Sequence, residues 1–250
     1  MINKFKKLLN NLFSPEAFVE TGNDLDTKVI IITGASRGIG KATAELLEKK
    51  GATLVLVSRQ VEKIATTPKN QRVLTFSADV VSEIDCQKVI DTTLEKFGRI
   101  DCLINNAGAF IDKSLDKTTL SDFRKIIDTN LIGMFNMSRL VIPVMKRQKS
   151  GTIINIGSKI SHNTNIAPNK VTYATSKYAV EGFSFALNKE LKTFGIRVCC
   201  LMPGTVATFV SRKGRQFMSP YDVAQLVKIV VESDKIDFES IVFKSINQNI

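Results

Sequence analysis

Tyr173 and Lys177 are the side chains of this 250-residue chain whose types and spacing indicate acid–base chemistry. They bound the segment Tyr173-Ala-Thr-Ser-Lys177, and residues four apart on a helix share one face. An ammonium beside the phenol would favour its ionised form, which otherwise appears only near a pKa of about 10. The spacing therefore predicts a tyrosine that exchanges a proton with a substrate at neutral pH. On spacing alone, a half-exposed aromatic beside a solvated lysine is the commoner arrangement.

A glycine-rich turn near the start of the chain predicts a phosphate site. The apolar run from Lys28 to Thr33 passes into Gly34-Ala-Ser-Arg-Gly38-Ile-Gly40 and then into apolar residues at helical spacing. The order of strand, tight turn and helix directs backbone N–H groups and the positive end of the helix dipole at the turn. Gly34 would permit the sharp turn, Gly38 the approach to a pyrophosphate, and Gly40 the packing of helix on strand. The spacing is Gly-x-x-x-Gly-x-Gly rather than Gly-x-Gly-x-x-Gly.

Strand and helix patterns alternate along the rest of the chain. Such alternation predicts right-handed crossovers and a parallel sheet buried on both faces. Within one long helical pattern, at about 121–146, Pro143 predicts a kink or a break. The C-terminal stretch 236–245 is typical of a final edge strand and tail. The other strands are predicted at 53–57, 73–76, 102–104, 152–156 and 197–201, and the other helices at about 83–97 and 173–193.

Composition limits the class of protein. With 44% hydrophobic and 24% charged residues, the chain can bury the core of one α/β domain, and no apolar run approaches the ~18 residues of a membrane span. The cysteines, Cys86, Cys102, Cys199 and Cys200, lack metal-ligand spacing and are interpreted as small core residues in a reducing compartment. His162, the only histidine, lies in a polar loop and is interpreted as a solvated surface residue. We therefore predict no metal site.

The chain resembles the short-chain dehydrogenase/reductase family from about residue 27 to about residue 231. The resemblance implies an α/β fold, a single-domain Rossmann-type doubly wound parallel sheet with helices on both faces, over residues 27–250. It also implies a nicotinamide cofactor and the interconversion of a carbonyl and an alcohol. The motifs that carry it, in order, are Thr33 to Gly40, Asn105-Asn106-Ala107-Gly108, Asn130, Ser158, the Tyr173/Lys177 pair and Pro203-Gly204-Thr205-Val206-Ala207-Thr208.

The resemblance implies four catalytic residues. Tyr173 would give a proton to the substrate carbonyl oxygen, or accept one in the oxidative direction. Lys177 would lower the pKa of Tyr173 and hold the ribose hydroxyls of the nicotinamide. Ser158 would hydrogen-bond the substrate oxygen, and Asn130 would bend a helix so that a freed backbone carbonyl binds a proton-relaying water. The link between Ser158 and Tyr173 is slightly longer than usual in the family, and Gly157 replaces a common serine, which predicts a changed pocket rim.

Charge at the end of the second predicted strand favours NADP over NAD. NAD-preferring members place an acid where this chain has Ser58, and Arg59 follows it while Arg37 lies in the phosphate turn. Two guanidinium groups can converge on a 2′-phosphate; two solvated arginines are the alternative. The residues expected to bind the cofactor, besides Tyr173 and Lys177, are Gly34, Ser36, Arg37, Gly38, Ile39, Gly40, Ser58, Arg59, Asp79, Val80, Asn106, Ala107, Gly108, Pro203, Gly204, Val206 and Thr208.

The sequence is compatible with more than one class of substrate. A short basic segment at 209–220 takes the place of the family's substrate lid, and Arg212, Lys213 and Arg215 could receive an acidic carrier such as acyl carrier protein. The C-terminus lacks the Gly-Gly ending of the tetrameric acyl reductases, which weakens that choice. We therefore expect a cytoplasmic NADPH-dependent reductase, a homodimer or homotetramer, acting on a 3-oxoacyl thioester or on a small ketone, aldehyde or hydroxy acid.

Residues 1–26 form an N-terminal extension outside the resemblance. Residues 1–14 combine apolar residues at helical spacing with Lys4, Lys6 and Lys7, which predicts a short basic amphipathic helix. Two interpretations remain open for it, contact with an anionic membrane surface or packing on its own domain or a sister subunit.

A catalytically silent dinucleotide-binding regulator is the alternative function, disfavoured because the Tyr-Lys pair, Ser158 and Asn130 are all present. Nucleic-acid binding is disfavoured as well. The net charge of +11 is scattered along the chain, without basic residues interleaved with aromatics.

Overall fold

Seven parallel strands form the sheet at the centre of the fold, in the order β3-β2-β1-β4-β5-β6-β7. The computed structural model describes residues 25–64, 71–162, 166–208 and 217–245. The chain adds strands outward from β1 in one direction and then from β4 in the other, so the crevice between the carboxyl ends of β1 and β4 is the topological switch point where such folds bind ligands. The strands are β1 (Val29–Thr33), β2 (Thr53–Ser58), β3 (Val73–Ser77), β4 (Cys102–Asn105), β5 (Gly151–Ile156), β6 (Ile196–Pro203) and β7 (Ser240–Phe243).

Helices cover both faces of the sheet, as the sequence predicted. Strands β1, β2 and β4 bury every residue, because helices exclude water from both sides. Val89, Val141 and Leu187 pack on one face, and Leu47 and Val227 on the other. The helices are α1 (Gly38–Lys49), α2 (Glu83–Phe97), α3 (Leu120–Ile127), α4 (Gly133–Gln148), α5 (Val171–Leu191) and α6 (Pro220–Glu232), with 3-10 turns at Leu25–Thr27, Val61–Lys63, Leu115–Lys117, Lys159–His162 and Lys192–Phe194.

Local signals set the ends of several helices. The Ser82 side chain accepts a hydrogen bond from Asp85 N and starts α2, and Gly98 ends it in the left-handed conformation. Thr119 starts α3 with a reciprocal capping box to Asp122, and α6 begins in the same way at Ser219.

The long helical pattern is interrupted at Asn130, where the family resemblance implied a bend, and not at Pro143. Helix α3 ends at Ile127, a π-helical turn spans Asp128–Ile132, and α4 then runs through Pro143 to Gln148. The prediction that Pro143 breaks the helix is therefore wrong. The interruption lies where Asn130 makes tertiary hydrogen bonds, which a reading of propensity alone does not include.

The predictions for the cysteines and for membrane spans concern residues that the structure describes, whereas those for the N-terminal helix and the lid do not. All four cysteines are buried and free, and burial raises the thiol pKa, to about 12 for Cys102 and Cys199 and to about 11 for Cys86 and Cys200. Within the described ranges, no helix is long and apolar enough to cross a membrane. The predicted amphipathic helix at 1–14 and the lid residues 209–216 lie outside the described residues. Leu25, just before the predicted domain boundary, is buried in the core.

Candidate active site

Three of the four predicted catalytic residues meet where helix α5 passes the carboxyl end of β5, and the fourth is tied to the same helix. The Ser158 side chain is hydrogen-bonded to the Tyr173 hydroxyl, and Lys177 Nζ donates to Ile156 O at 2.7 Å. Asn130 Nδ2 donates to Ser176 Oγ, also on α5, at 2.9 Å. Residues far apart in sequence thus converge on one face of a helix.

Tyr173 is partly buried in the folded chain. Burial raises its pKa, and the hydrogen bond to Ser158 opposes that shift. The sequence-based expectation was that Lys177 would lower this pKa. In the protein chain alone the opposite holds, because the cost of placing an anion in a desolvated site exceeds the benefit of the hydrogen bond. At neutral pH the hydroxyl is therefore a proton donor.

Lys177 is a nearly buried cation, with 7% of its surface exposed. Its Nζ lies 5.8 Å from the Tyr173 ring centroid and is bonded to the carbonyl at the end of β5. Burial lowers the pKa of Lys177 to about 8, because the ammonium has lost most of its hydration. The lysine is thus poised to gain or lose a proton close to physiological pH.

Asn130 anchors the π-helical turn to the rest of the site. Its Oδ1 accepts from Ala109 N at 2.7 Å, and its Nδ2 donates to Ala109 O at 3.1 Å. The Ser176 Oγ that Asn130 also contacts donates in turn to Tyr173 O at 2.7 Å. A π-helical turn lies at the residue for which a bend was expected, and the Asn130 side chain links three segments: the loop after β4, the π turn and α5.

A small, partly open pocket lies beside these groups. Its lining includes Asn105, Asn130, Ile156 and Lys177, and its volume is about 10 Å³, close to what the centre of one water molecule requires. Asn105 Oδ1 is buried and has no protein partner among the described residues. The polar lining suits the proton relay that the family resemblance implied for Asn130 and Lys177.

The phosphate turn is closely packed against the loop after β4. Gly34 has φ +65°, and a Cβ there would lie 2.9 Å from Ala107 Cα. A Cβ on Gly40 would collide with Gly34 O and Asn106 Nδ2. Asn106 Nδ2 donates to Thr33 O at 2.9 Å and to Gly34 O at 3.1 Å, which fixes the turn. Side chains larger than hydrogen are therefore excluded where the turn must approach its neighbours.

The donors at this turn fit a phosphate group. Helices α2, α3 and α6 each begin with a side-chain cap, whereas α1 follows Arg37, which within the described residues forms no such cap. Because α1 begins directly after β1 and the phosphate turn, its first N–H groups and the positive end of its dipole lie at the carboxyl end of β1, beside the crevice. This arrangement can hold the pyrophosphate of a dinucleotide.

Of the predicted NADP-selecting residues, Ser58 and Arg59 lie at the carboxyl end of β2, near Asp79, and Arg37 lies immediately before α1. Ser58 is buried, and its Oγ accepts from Gln60 N at 3.1 Å. Arg59 is 65% exposed in its side chain, and its Nη1 lies 3.8 Å from Asp79 Oδ2. Asp79 Oδ1 also accepts from Val81 N at 3.1 Å. Arg59 and Asp79 therefore stand side by side at the mouth of the crevice.

The other expected cofactor residues border the same crevice. Val80 packs against Gly133 at the start of α4, and Gly108 lies beside Asn130 Oδ1. After β6, Gly204 N donates to Phe243 O at 2.7 Å, and Thr208 returns toward the phosphate turn, where its Cγ2 lies 3.2 Å from the position of a Cβ on Gly38. Ser36 lies in the phosphate turn and Ile39 in the first turn of α1. Pro203 ends β6, Val206 follows in the loop after it, and Ala107 lies in the loop after β4.

The sequence analysis named Asn105 within a motif but assigned it no role, and it missed the residues that form a buried network with it. Asn105 Nδ2 donates to Asn155 Oδ1 at 2.9 Å and to Ser138 Oγ at 3.0 Å, and Asn155 Nδ2 donates to Ser184 Oγ at 2.9 Å. This buried network fixes the ends of β4 and β5 to α4 and α5. The sequence pattern that could have identified this network is an asparagine at the end of each of two apolar strands.

His162 was interpreted as a solvated residue, and the structure corrects this in part. Its side chain is 50% exposed, but Nδ1 lies 2.9 Å from Oε1 of the buried Glu181 on α5. This contact fastens the turn that follows Ser158 to the helix that carries Tyr173. Phe110, whose ring meets Tyr173 edge-on, had no sequence signal at all.

Comparisons with known proteins show the family and the fold of the chain. The family model for short chain dehydrogenases matches residues 28–219. An uncharacterized oxidoreductase of Staphylococcus saprophyticus is 36% identical over 219 residues, 86% of this chain and 88% of that protein. A 3-oxoacyl-(acyl-carrier-protein) reductase of Thermotoga maritima is 33% identical over 230 residues, 84% and 92% of the two chains. The X-ray structure of an alcohol dehydrogenase from Thermococcus sibiricus, complexed with 5-hydroxy-NADP, has a TM-score of 0.80 at 27% identity, covering 89% and 98%.

Proposed function

The chain belongs to the short-chain dehydrogenase family of NAD(P)-dependent oxidoreductases, and from this premise we propose that it reduces a carbonyl compound to an alcohol with NADPH. The observation that carries the proposal is the Tyr173 hydroxyl, hydrogen-bonded to Ser158 and followed on the same helix face by the buried Lys177. A bound nicotinamide supplies the hydride. The residues of the chain bind, orient and deliver the proton.

Two hydroxyl groups would bind the carbonyl oxygen of the substrate. Ser158 and Tyr173 already contact one another, so an oxygen placed between them receives two hydrogen bonds directed at the position where negative charge develops. The pKa of Tyr173 is raised, so the phenol carries its proton at neutral pH and can donate it to that oxygen. This protonation state favours the reductive direction.

Lys177 would restore the proton that Tyr173 gives away. Its pKa of about 8 lies below that of the phenol, so an ammonium at Lys177 can pass a proton toward a tyrosinate. Its Nζ lies on the polar pocket shared with Asn130, which provides a route from the interior of the site. The phosphate turn and the loops after β4 and β6 would hold the dinucleotide.

Replacing Tyr173 with Phe tests the catalytic assignment. The ring and its edge-on contact with Phe110 remain, while the proton donor is lost. We expect kcat to fall by roughly 10²- to 10⁴-fold, with the Kd for NADPH nearly unchanged. Full activity in Tyr173→Phe would reject the assignment. An inactive wild-type protein that still binds NADPH would instead support a silent dinucleotide-binding regulator.

The preference for NADPH is part of the same proposal. Arg59 and Arg37 would bind the 2′-phosphate, and the related alcohol dehydrogenase of Thermococcus sibiricus has a structure with 5-hydroxy-NADP. Arg59→Ala should lower kcat/KM for NADPH by roughly tenfold or more and leave that for NADH unchanged. Arg139→Ala, an exposed arginine paired with Glu83 on the surface, is the matched control. Equal kcat/KM values for NADPH and NADH in the wild type would contradict the proposed preference for NADPH.

We also propose a substrate class, an oligomeric state and a cellular compartment for the protein. The relative in Thermotoga maritima supports a 3-oxoacyl thioester, and a small ketone, aldehyde or hydroxy acid is the second candidate. We further propose a homodimer or homotetramer in the cytoplasm, with membrane contact through residues 1–14 as one option. A panel of carbonyl compounds with NADPH, and vesicle sedimentation with and without residues 1–20, would test these points.

A further inference from the structure

Phe110 presents a large apolar ring to solvent beside the proton donor. It is 51% exposed, yet its ring centroid lies 5.0 Å from that of Tyr173, with the two planes at 80°. Scattered exposed aromatics are ordinary on a protein surface, but this one lies in direct contact with the proposed catalytic residue. Its exposed face is therefore available to whatever binds at Tyr173.

The ring is held in place from two sides. The preceding residue, Ala109, has both its N–H and its C=O bonded to the Asn130 side chain. On the other side, Lys170 Nζ lies 4.5 Å from the centroid of Phe110 and forms an ion pair with Asp112 at 2.6 Å. A binding surface fixed in this way loses little conformational entropy when it receives a ligand.

The loop that carries Phe110 is also tied to the start of α5 through the backbone. Lys113 N donates to Asn169 O at 3.2 Å, and Asn169 adopts a left-handed φ of 62°. The Lys170 charge is already paired with Asp112, so this wall of the site offers hydrocarbon surface rather than an unpaired cation. Its chemistry matches an apolar group better than a carboxylate.

We propose that Phe110 determines substrate specificity by packing against an apolar substituent on the carbonyl carbon. This inference rests on the proposed reductase function and narrows it. The substrate class is a ketone, aldehyde or 3-oxoacyl compound with an alkyl or aryl group next to the reacting carbonyl. A small, highly polar hydroxy acid would leave the ring exposed.

A homologous series of straight-chain 2-alkanones tests the inference in two measurements on the full chain. The first is Kd for each ketone by isothermal titration, and the second is kcat/KM with NADPH. Wild-type affinity should rise about twofold to fourfold for each added methylene over the first few members, because each one buries apolar surface. Phe110→Ala should flatten this dependence, and Phe110→Leu should keep most of it.

Phe135→Ala is the matched control, since Phe135 is also an exposed phenylalanine in an edge-on aromatic contact, with Phe183. It should keep the wild-type dependence on chain length. A flat wild-type series, or a Phe110→Ala series as steep as the wild type, overturns the inference about Phe110. Binding that depends on chain length and on Phe110, without turnover of any ketone, instead overturns the proposed function and leaves the apolar subsite standing.

Discussion

Lys177 and Tyr173 show how one physical cause shifts two pKa values in opposite directions. Burial disfavours the charged form of each group, so the pKa of the lysine falls and that of the tyrosine rises. Lys177, with a pKa of about 8, still carries its proton at neutral pH. Burial destabilises the charged forms of both side chains, and perturbed pKa values of this kind are typical of functional sites.

The lowered pKa of Lys177 predicts that the free energy of unfolding depends on pH. The pKa of Lys177 is about 8 in the folded chain and 10.5 ordinarily, so between these values the unfolded chain binds more protons than the folded one. Wild-type protein should gain up to about 3 kcal/mol of unfolding free energy relative to Lys177→Met as the pH rises through this window. Below about pH 8 the full cost of the buried ammonium is present. Chemical denaturation of both proteins at about pH 7 and about pH 10 measures the difference, and a constant difference contradicts the prediction.

At the scale of elements, the site depends on loops that pack closely on one another. The phosphate turn lies against the loop after β4, the π turn against the same loop, and α5 against the end of β5. The hydrogen bonds of Asn106 and Asn130 join these loops through their side chains. Substitutions that separate two loops should therefore affect cofactor binding as well as stability.

Gly40→Ala tests this packing. Its Cβ would collide with a backbone oxygen and with Asn106 Nδ2, so the turn must shift away from its neighbour. We expect a loss of about 1–3 kcal/mol in stability and a weaker Kd for NADPH by roughly tenfold or more. Gly182→Ala is the control, because Gly182 is exposed on α5 with open space around its Cβ position, and it should stabilise the protein by about 1 kcal/mol. Unchanged NADPH binding in Gly40→Ala would contradict the argument.

At the scale of the whole molecule, net charge is the property that no single residue or element determines. The chain carries a formal net charge of +11, and the proposed cofactor is a polyanion while the proposed ketones are neutral. A positively charged protein attracts anions over distances that salt shortens, to a Debye length of about 10 Å at 0.1 M. The switch-point crevice, with the dipole of α1 and the nearby arginines, is where that attraction should be greatest.

Ionic strength should therefore distinguish the two substrates. Raising the salt from about 0.05 M to about 0.5 M should lower kcat/KM for NADPH several-fold and change kcat/KM for a neutral ketone much less. Initial rates with one substrate varied and the other saturating give the two values. Parallel losses for both would show that salt acts on the fold or on catalysis instead.

Much of the architecture was accessible from the sequence because it depends on local patterns. The apolar runs and the glycine turn predicted β1, the phosphate turn and α1, and helix α2 has the predicted bounds. Pro143 was expected to kink or break the helix at 121–146, but the helix continues through it, and the interruption lies at Asn130, where only the family resemblance had implied a bend. A helix tolerates the proline, whereas the π turn is maintained by bonds to Ala109 and Ser176, distant in sequence.

The sequence by itself determined the order of strands and helices, the glycine turn and the Tyr-x-x-x-Lys pair, since each depends on residue types at short, regular spacing. Only the tertiary structure decided that burial raises the pKa of Tyr173, that Glu181 holds His162, and that Phe110 lies against the catalytic ring. These properties depend on which residues become buried next to one another in the folded chain. Desolvation and contact arise between residues far apart in the chain, so no local pattern contains them.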